Sequence, residues 1–283
     1  MPTINANKIN IDDSVYIADD VIINCDEITI GKNSTIKDGC VINCKKFIAG
    51  DGLYMCDGVE IGRGGCYGPN SIVTIGNNVG IFEKTIINPS ESVDIGDEVG
   101  IGGEVMIWTH GAWLDVTQGF PSDFGPVKIG NNVWLPARSI VLPNVTVGND
   151  TVIGIGSVIN RDLPSGCFAA GSPCKVIKEN CYPRELSEKE LEKIVLSIID
   201  DWFELHGDKN IKDVSVDYDT HRKIITLKKG TPKTYFTHYH IDTKEMVGFQ
   251  NDVSEDFRDY LRRRGIKIYT DSKFKSIKQR WLK

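Results

Sequence analysis

An aliphatic residue returns at every sixth position along one stretch of this chain: Ile129, Leu135, Val141, Val147, Ile153, Ile159. Four places after each stand Val133, Ser139, Val145, Thr151, Ser157 and Leu163, all but the last small or compactly branched. A period of six is neither the 3.6 of a helix nor the bare alternation of a half-buried strand. It suits a solenoid coil, where each flat face repeats a short strand, a bend and one inward aliphatic side chain. The expected fold class is an all-β solenoid, a parallel β-helix of hexapeptide repeats.

The register begins near the start with Ile11, Ile17 and Ile23, and after one added residue continues through Ile30, Ile36, Ile42 and Ile48. GDGLYMCDGVE reads as an irregular excursion. Ile61 and Tyr67, then Ile75, Ile81 and Ile87, then Ile95, Ile101 and Ile107 resume it. Glycine repeatedly follows the aliphatic residue (Gly31, Gly62, Gly76, Gly96, Gly102, Gly130, Gly148, Gly154), as expected of corners where φ turns positive. Repetition then stops over HGAWLDVTQGFPSDFGPVK and restarts in phase at Ile129. A solenoid passes such an insertion outward, since each rung must still meet its neighbour at ~4.8 Å. Interruptions on a rigid scaffold are where function sits, and this one opens on His110.

After the repeat, Pro183 and the capping-box pattern Ser187-x-x-Glu190 announce a helix, SEKELEKIVLSIIDDWFELHG. Strand-like VSVDY, HRKIITLKK, KTYFTHYHI and EMVGF follow, then a second helix, SEDFRDYLRRRG, and a basic tail. The expected domains are 1–183, the solenoid, and 184–283, a small α+β domain. The tail places Phe274, Ile277 and Trp281 at helical spacing among Lys and Arg. Such a segment docks on its own domain or touches an anionic membrane or lipid-linked glycan. His238 and His240 share one strand face, and with no third ligand they read as structural.

Charge separates the two parts. Residues 1–183 carry net −9 and residues 184–283 net +3, within a total of −6. An acidic solenoid argues against nucleic acid as a partner. No apolar run approaches the ~18 residues of a membrane span and MPTINANKIN has no secretory apolar region, so the expected address is cytoplasmic. Eight cysteines without a Cys-x-x-Cys pair, beside a single solenoid histidine, read as buried thiols rather than metal ligands.

The stretch THGAW, then GPVKIGNNVWLPARSIVLPNVTVGNDTVIGIGSVINRDLP, then AAGSPCKVIKE resembles the hexapeptide-repeat acetyltransferases, in particular the galactoside and maltose O-acetyltransferase branch. The resemblance implies a left-handed coil, a homotrimer with active sites between subunits, acetyl-CoA as co-substrate with no metal, and direct transfer to a hydroxyl or amine. It implies His110 as general base. The chemistry needs one, because a sugar hydroxyl attacks a thioester poorly until its proton is removed, and imidazole does this well near neutral pH. It also implies that Ala137 and Ile155 lend backbone groups to the pantetheine arm, an added strand along the coil. Asn160, Arg161, Lys175 and Lys178 match the residues near the CoA phosphates, where cations are wanted; ordinary solvated lysines are the alternative. Trp134 packs beside the arm or simply packs.

Two departures bear on the acceptor. Leu135-Pro136 replaces the branch's Ile-Gly, which removes a backbone donor. Phe82 stands where the galactoside branch has an acceptor-binding Asn, and its second acceptor acid falls near Ser90, so a simple galactoside bound in that way is not expected. Glu83 is a candidate for holding a sugar hydroxyl or an amine, or a surface salt-bridge partner. Asp115 orients His110 or serves a turn. The expected function is acetyl transfer to a saccharide hydroxyl. The alternatives are N-acetylation of a nucleotide-linked amino sugar and a non-catalytic scaffold. A zinc carbonic anhydrase needs three solenoid histidines and is set aside.

Overall fold

The computed structural model describes residues 1–63, 68–206, 213–230 and 233–274; Cys66, Tyr67, Ile277 and Trp281, named above, lie outside them. The chain divides into two compact units, Met1–Arg184 and Glu185–Lys283.

The first unit is a parallel β-solenoid with three faces. Strands of the first face include Lys46–Ala49, Ile72–Ile75, Val93–Ile95, Val127–Ile129 and Thr146–Val147. The second carries Tyr54–Met55, Gly80–Ile81, Gly100–Ile101, Trp134–Leu135, Val152–Ile153 and Phe168–Ala170. The third carries Val41–Asn43, Glu60–Ile61, Ile86–Asn88, Met106–Trp108, Ile140–Val141 and Val158–Ile159. The long strand Ile22–Ile30 pairs with Val41–Asn43 at one end and Lys46–Ala49 at the other, so it spans the third and first faces of its coil. Every hexad residue from Ile129 to Ile159 points inward, as do Val133, Ser139, Val145, Thr151, Ser157 and Leu163. Burying one such aliphatic side chain contributes about 1.5–3 kcal/mol, which is why the period survives wide variation in the outward residues.

The structure corrects the register at two places. In Lys46–Ala49 the inward residues are Phe47 and Ala49, and Ile48 faces out. GDGLYMCDGVE is a regular coil, with Leu53, Met55, Val59 and Ile61 inside; Ala49 and Met55 keep the sixfold step up to Ile61 in residues that do not read as branched aliphatics. The corner glycines also act differently from expectation. Of those named, only Gly62 has positive φ. The left-handed residue falls two places later, at Asn33, Asn78, Glu98, Glu104, Asn132 and Asp150, with Gly156 in the last case. The glycines are needed because the next coil lies against them: a Cβ on Gly102 would stand 2.5 Å from Ala137 N and 2.8 Å from the Pro136 carbonyl carbon. Gly102→Ala should therefore destabilise the solenoid by about 1–3 kcal/mol, read as a lowered thermal midpoint.

A ladder runs up the edge between the first and second faces. The side chains of Asp51, Asn77, Asp97, Asn131 and Asn149 each accept a backbone N–H of the preceding coil, from Lys32, Asp51, Asn77, Asp97 and Asn131 in turn, at 2.6–2.9 Å. Ser165 Oγ takes the last place, from Asn149 N–H at 3.0 Å. Cys25, Cys40, Cys44, Cys167 and Cys174 are buried free thiols, Cys56 and Cys181 half-buried ones. Burial pushes the Cys40 thiol up to about 11.

The second unit holds the helix Glu188–His206, an antiparallel sheet of Val214–Asp219, Ile224–Lys229, Tyr235–His240 and Glu245–Gly248, and the helix Asp252–Arg263. The Ser187–Glu190 capping box is present: the Glu190 carboxylate accepts the Ser187 N–H at 3.0 Å, and Ser187 Oγ accepts the Glu190 N–H at 3.3 Å. Trp202, Tyr239 and Phe257 stack edge to face in its core. His238 Nδ1 is 3.0 Å from Thr226 Oγ1. Phe274 lies under the guanidinium of Arg258, 4.5 Å from its ring centre, as a tail folded on its own unit would. No described helix is long and apolar enough to cross a membrane.

Candidate active site

The insertion leaves the solenoid after Met106–Trp108 and returns at Val127–Ile129, at the edge between the third and first faces. It is tied down at its root. His110–Gly111 pairs antiparallel with Asp123–Phe124, so His110 sits opposite Phe124. Gly125 N–H donates to the Thr109 carbonyl at 3.0 Å, and Asn144 Nδ2 donates to Asp123 Oδ1 at 2.8 Å. The Asn144 carboxamide lies so close to Gly125 that any Cβ there would run into it, a packing reason for the glycine in Gly125-Pro126-Val127. The His110 ring stacks on Phe124 with centroids 5.5 Å apart, and Trp108 meets it edge-on at 6.2 Å.

Beneath His110, one coil earlier on the same edge, lie two buried polar side chains, Asn88 at 0% exposure and Ser90 at 4%. His110 Nδ1 is 2.9 Å from Asn88 Oδ1 and 3.0 Å from Ser90 Oγ. Thr109 Oγ1 donates to the Asn88 carbonyl at 2.7 Å and accepts the Glu91 N–H at 3.0 Å. Asp115 is not among the partners of His110. Its carboxylate caps the short turn Val116–Gln118, accepting from Thr117 N, Thr117 Oγ1 and Gln118 Nε2, and these bonds hold its pKa below the usual carboxylate value. Sequence reasoning overlooked Asn88. The available signal was register: Ile87 and Ile107 are inward residues of neighbouring coils, so Asn88 stacks under Trp108, two residues short of His110.

A second group forms at the edge between the second and third faces. Phe82 and Glu83, Gly102 and Gly103, Pro136 and Ala137, and Gly154 and Ile155 stack there coil upon coil. Gly156 N–H donates to the Ala137 carbonyl at 3.1 Å. Among the described residues, the Ala137 and Ile155 N–H groups donate to nothing within the chain, and Ile155 is 74% exposed. Two such amides one coil apart, ~4.8 Å, fit an extended amide-bearing arm laid along the edge. Trp134 lies across Gly100, where a Cβ would come 2.6 Å from its ring. Phe82 tilts against Tyr54 at 6.2 Å. Lys175–Lys178 pairs with Phe168–Ala170 at the end of the second face, with both lysines exposed.

The candidate residues thus fall into two sets. His110 and, two coils on, the exposed Asn160 and Arg161 share one edge; Phe82, Glu83, Ala137 and Ile155 share another, with Trp134, Lys175 and Lys178 on the adjoining second face. The third face separates them, and from Gly103 to Thr109 it spans roughly 20 Å at ~3.3 Å per residue. In its later coils the outward residues of that face are aliphatic and in register, Ile86, Met106, Ile140 and Val158, all half-buried, while Glu60 is the outward neighbour of Ile86 on the earlier coil. The first face instead presents Thr74, Asp94, Lys128 and Thr146. Among the described residues no cluster of three His, Cys, Asp or Glu side chains is placed to hold a metal ion.

Residues 126–161 match the family described as bacterial transferase hexapeptide (six repeats). Over 116 residues the chain is 37% identical to the galactoside O-acetyltransferase of Escherichia coli (strain K12), covering 40% of this chain and 56% of that protein. The chain thus spans little more than half the length of that relative. Among solved structures, a galactoside acetyltransferase in complex with coenzyme A is 32% identical, over 47% of this chain and 64% of the other, with a TM-score of 0.41. The polysialic acid O-acetyltransferase OatWY is 20% identical over 68% of this chain and 96% of its own, with a TM-score of 0.52, a likeness of fold.

Proposed function

We propose, from the premise that this solenoid carries the repeat of the bacterial hexapeptide transferases over residues 126–161, that the protein is an acetyl-CoA-dependent acetyltransferase that modifies a saccharide hydroxyl, with His110 as general base. The observation that carries this reading is the solenoid's only histidine, at the root of the insertion between Trp108 and Val127, with one ring nitrogen held by buried polar groups. The other ring nitrogen is then the one to meet an acceptor. Acetyl-CoA supplies an activated thioester carbonyl. His110 takes the acceptor's hydroxyl proton as that oxygen attacks, then returns it to the departing thiolate, so the histidine ends as it began. Ala137 and Ile155 hold the arm through backbone groups and Lys178 meets its phosphates, with Arg161, on the edge of His110, meeting them from the adjoining copy.

Because the base and the arm-holding residues occupy opposite edges of the third face, one chain does not complete this site. The reading therefore includes a homotrimer with each site between two copies, supported by the aligned aliphatic surface of the third face. A saccharide acceptor is supported by the 37% identical galactoside enzyme and by the aromatic rings of Phe124 and Trp108 beside His110. Phe82 and Ser90 make a simple galactoside held by an Asn and an acid a poor fit. A panel of sugars, nucleotide sugars and oligosaccharides assayed for thiol release from acetyl-CoA tests the reading; release with no saccharide in the panel would refute it. Arg161→Ala with Lys178→Ala should raise KM for acetyl-CoA by about tenfold or more, as expected for loss of charge-assisted contacts of ~1.5–3 kcal/mol, with the fold intact. An unchanged KM would remove the phosphate role.

A further inference from the structure

We infer that Asn88 is a positioning residue of this site: its side-chain carbonyl keeps the ring proton of His110 on Nδ1 and so leaves Nε2 as the basic nitrogen. The inference rests on the reading of His110 as the base and adds a residue that the resemblance to known acetyltransferases does not supply.

The orientation of the Asn88 amide decides the matter. Its Nδ2 donates to the Arg63 carbonyl at 2.5 Å. A carbonyl can only accept, so the NH₂ group must face Arg63 and Oδ1 must face His110. Ser90 Oγ donates to that same Oδ1 at 3.2 Å, which leaves a lone pair of Ser90 turned toward Nδ1. Asn88 Oδ1 can only accept, so a ring protonated on Nε2 would set lone pair against lone pair 2.9 Å apart beside a fully buried amide. Only the Nδ1–H tautomer satisfies all three side chains.

Asn88 is uncharged and fixes the tautomer by accepting the Nδ1 proton. The charged groups nearest this edge are engaged elsewhere. Glu91 accepts from Asn70 Nδ2 at 2.9 Å, Arg63 pairs with Glu60 at 3.0 Å, Asp123 accepts from Asn144, and Asp115 from its own turn. A carboxylate in place of the Asn88 amide would be the one charge aimed at the ring. It would raise the imidazole pKa and demand a higher pH for the neutral base.

The tautomer is measured first, on the unmodified full chain, by nitrogen–proton correlation NMR of the imidazoles, with His110→Gln identifying the signal. A protonated Nδ1 and a bare Nε2 in the neutral ring are expected; a protonated Nε2 overturns the inference, and no variant need fold for that result. Asn88→Ala should lower kcat roughly 10- to 100-fold with KM for acetyl-CoA within twofold. Asn88→Asp should recover much of that loss and move the acid limb of kcat to higher pH by about one unit or more. Wild-type kcat in Asn88→Ala, or an unmoved acid limb in Asn88→Asp, would likewise overturn it. Full activity of His110→Ala would instead remove the base reading itself, whichever tautomer the spectrum shows.

Discussion

With His110 as the proposed base, His110→Ala is expected to slow acetyl transfer by about 10²–10⁴ and to leave the solenoid wound. The ring is half-buried at the root of the insertion and contributes nothing to the interior, which is filled by Ile107, Val141 and Val127 on the adjoining strands. On the proposed reading the variant loses proton removal from the acceptor, worth about 10²–10⁴ in rate. A thermal midpoint close to that of the parent, with thiol release lowered by that factor, is the expected pair of results. The stacking of Phe124 on the ring is lost as well, so the insertion loosens at its root, but Gly125 and Asn144 still hold its return strand. Parental rates of acetyl transfer in this variant would leave the solenoid without its base.

Met106→Glu with Ile140→Glu is expected to produce monomers without measurable activity. The two side chains are register partners on the outer side of the third face, flanked by Ile86 and Val158. Carboxylates there would have to be buried without partners if another copy covered this face, at a cost of several kcal/mol per ion. The inward residues of the same strands, Ile107 and Val141, are untouched, so the coil should survive with its far-ultraviolet spectrum unchanged. Loss of activity follows because His110 on one edge and Ala137 on the other, roughly 20 Å apart, then have no second copy to bring them together. Sedimentation and the thiol-release assay together decide it. A persistent trimer would remove the third face from the interface, and an active monomer would show that one chain completes the site.

The solenoid was legible because its interior demands one aliphatic residue per face, and that demand repeats with nothing to mask it from Ile129 to Ile159. Legibility failed where the inward residue was of another kind: Met55 and Ala49 are buried in the interior but do not announce it. The corner glycines were legible as corners but not for the right reason. Backbone torsions can be guessed from one residue, whereas the contact of Gly102 with the next coil depends on Ala137, thirty-five residues away. His110 stood out by position alone. Asn88 did not, because a buried amide contributes nothing periodic, and its role depends on stacking between coils rather than on neighbours in sequence. The division of the candidate residues between two edges was equally hidden, since a hexad pattern says which residues face out but a resemblance draws them as one site.

The ladder along the edge between the first and second faces has a consequence for how such a chain can change length. Each rung is closed by the same chemistry, one side-chain oxygen taking one main-chain proton from the coil below, whichever coil it is. A complete turn removed or duplicated leaves every remaining rung with an equivalent partner, while a cut of any other size breaks the series. Growth by whole turns thus keeps this edge paired throughout, while the insertion that carries His110 departs from another edge and leaves the ladder untouched.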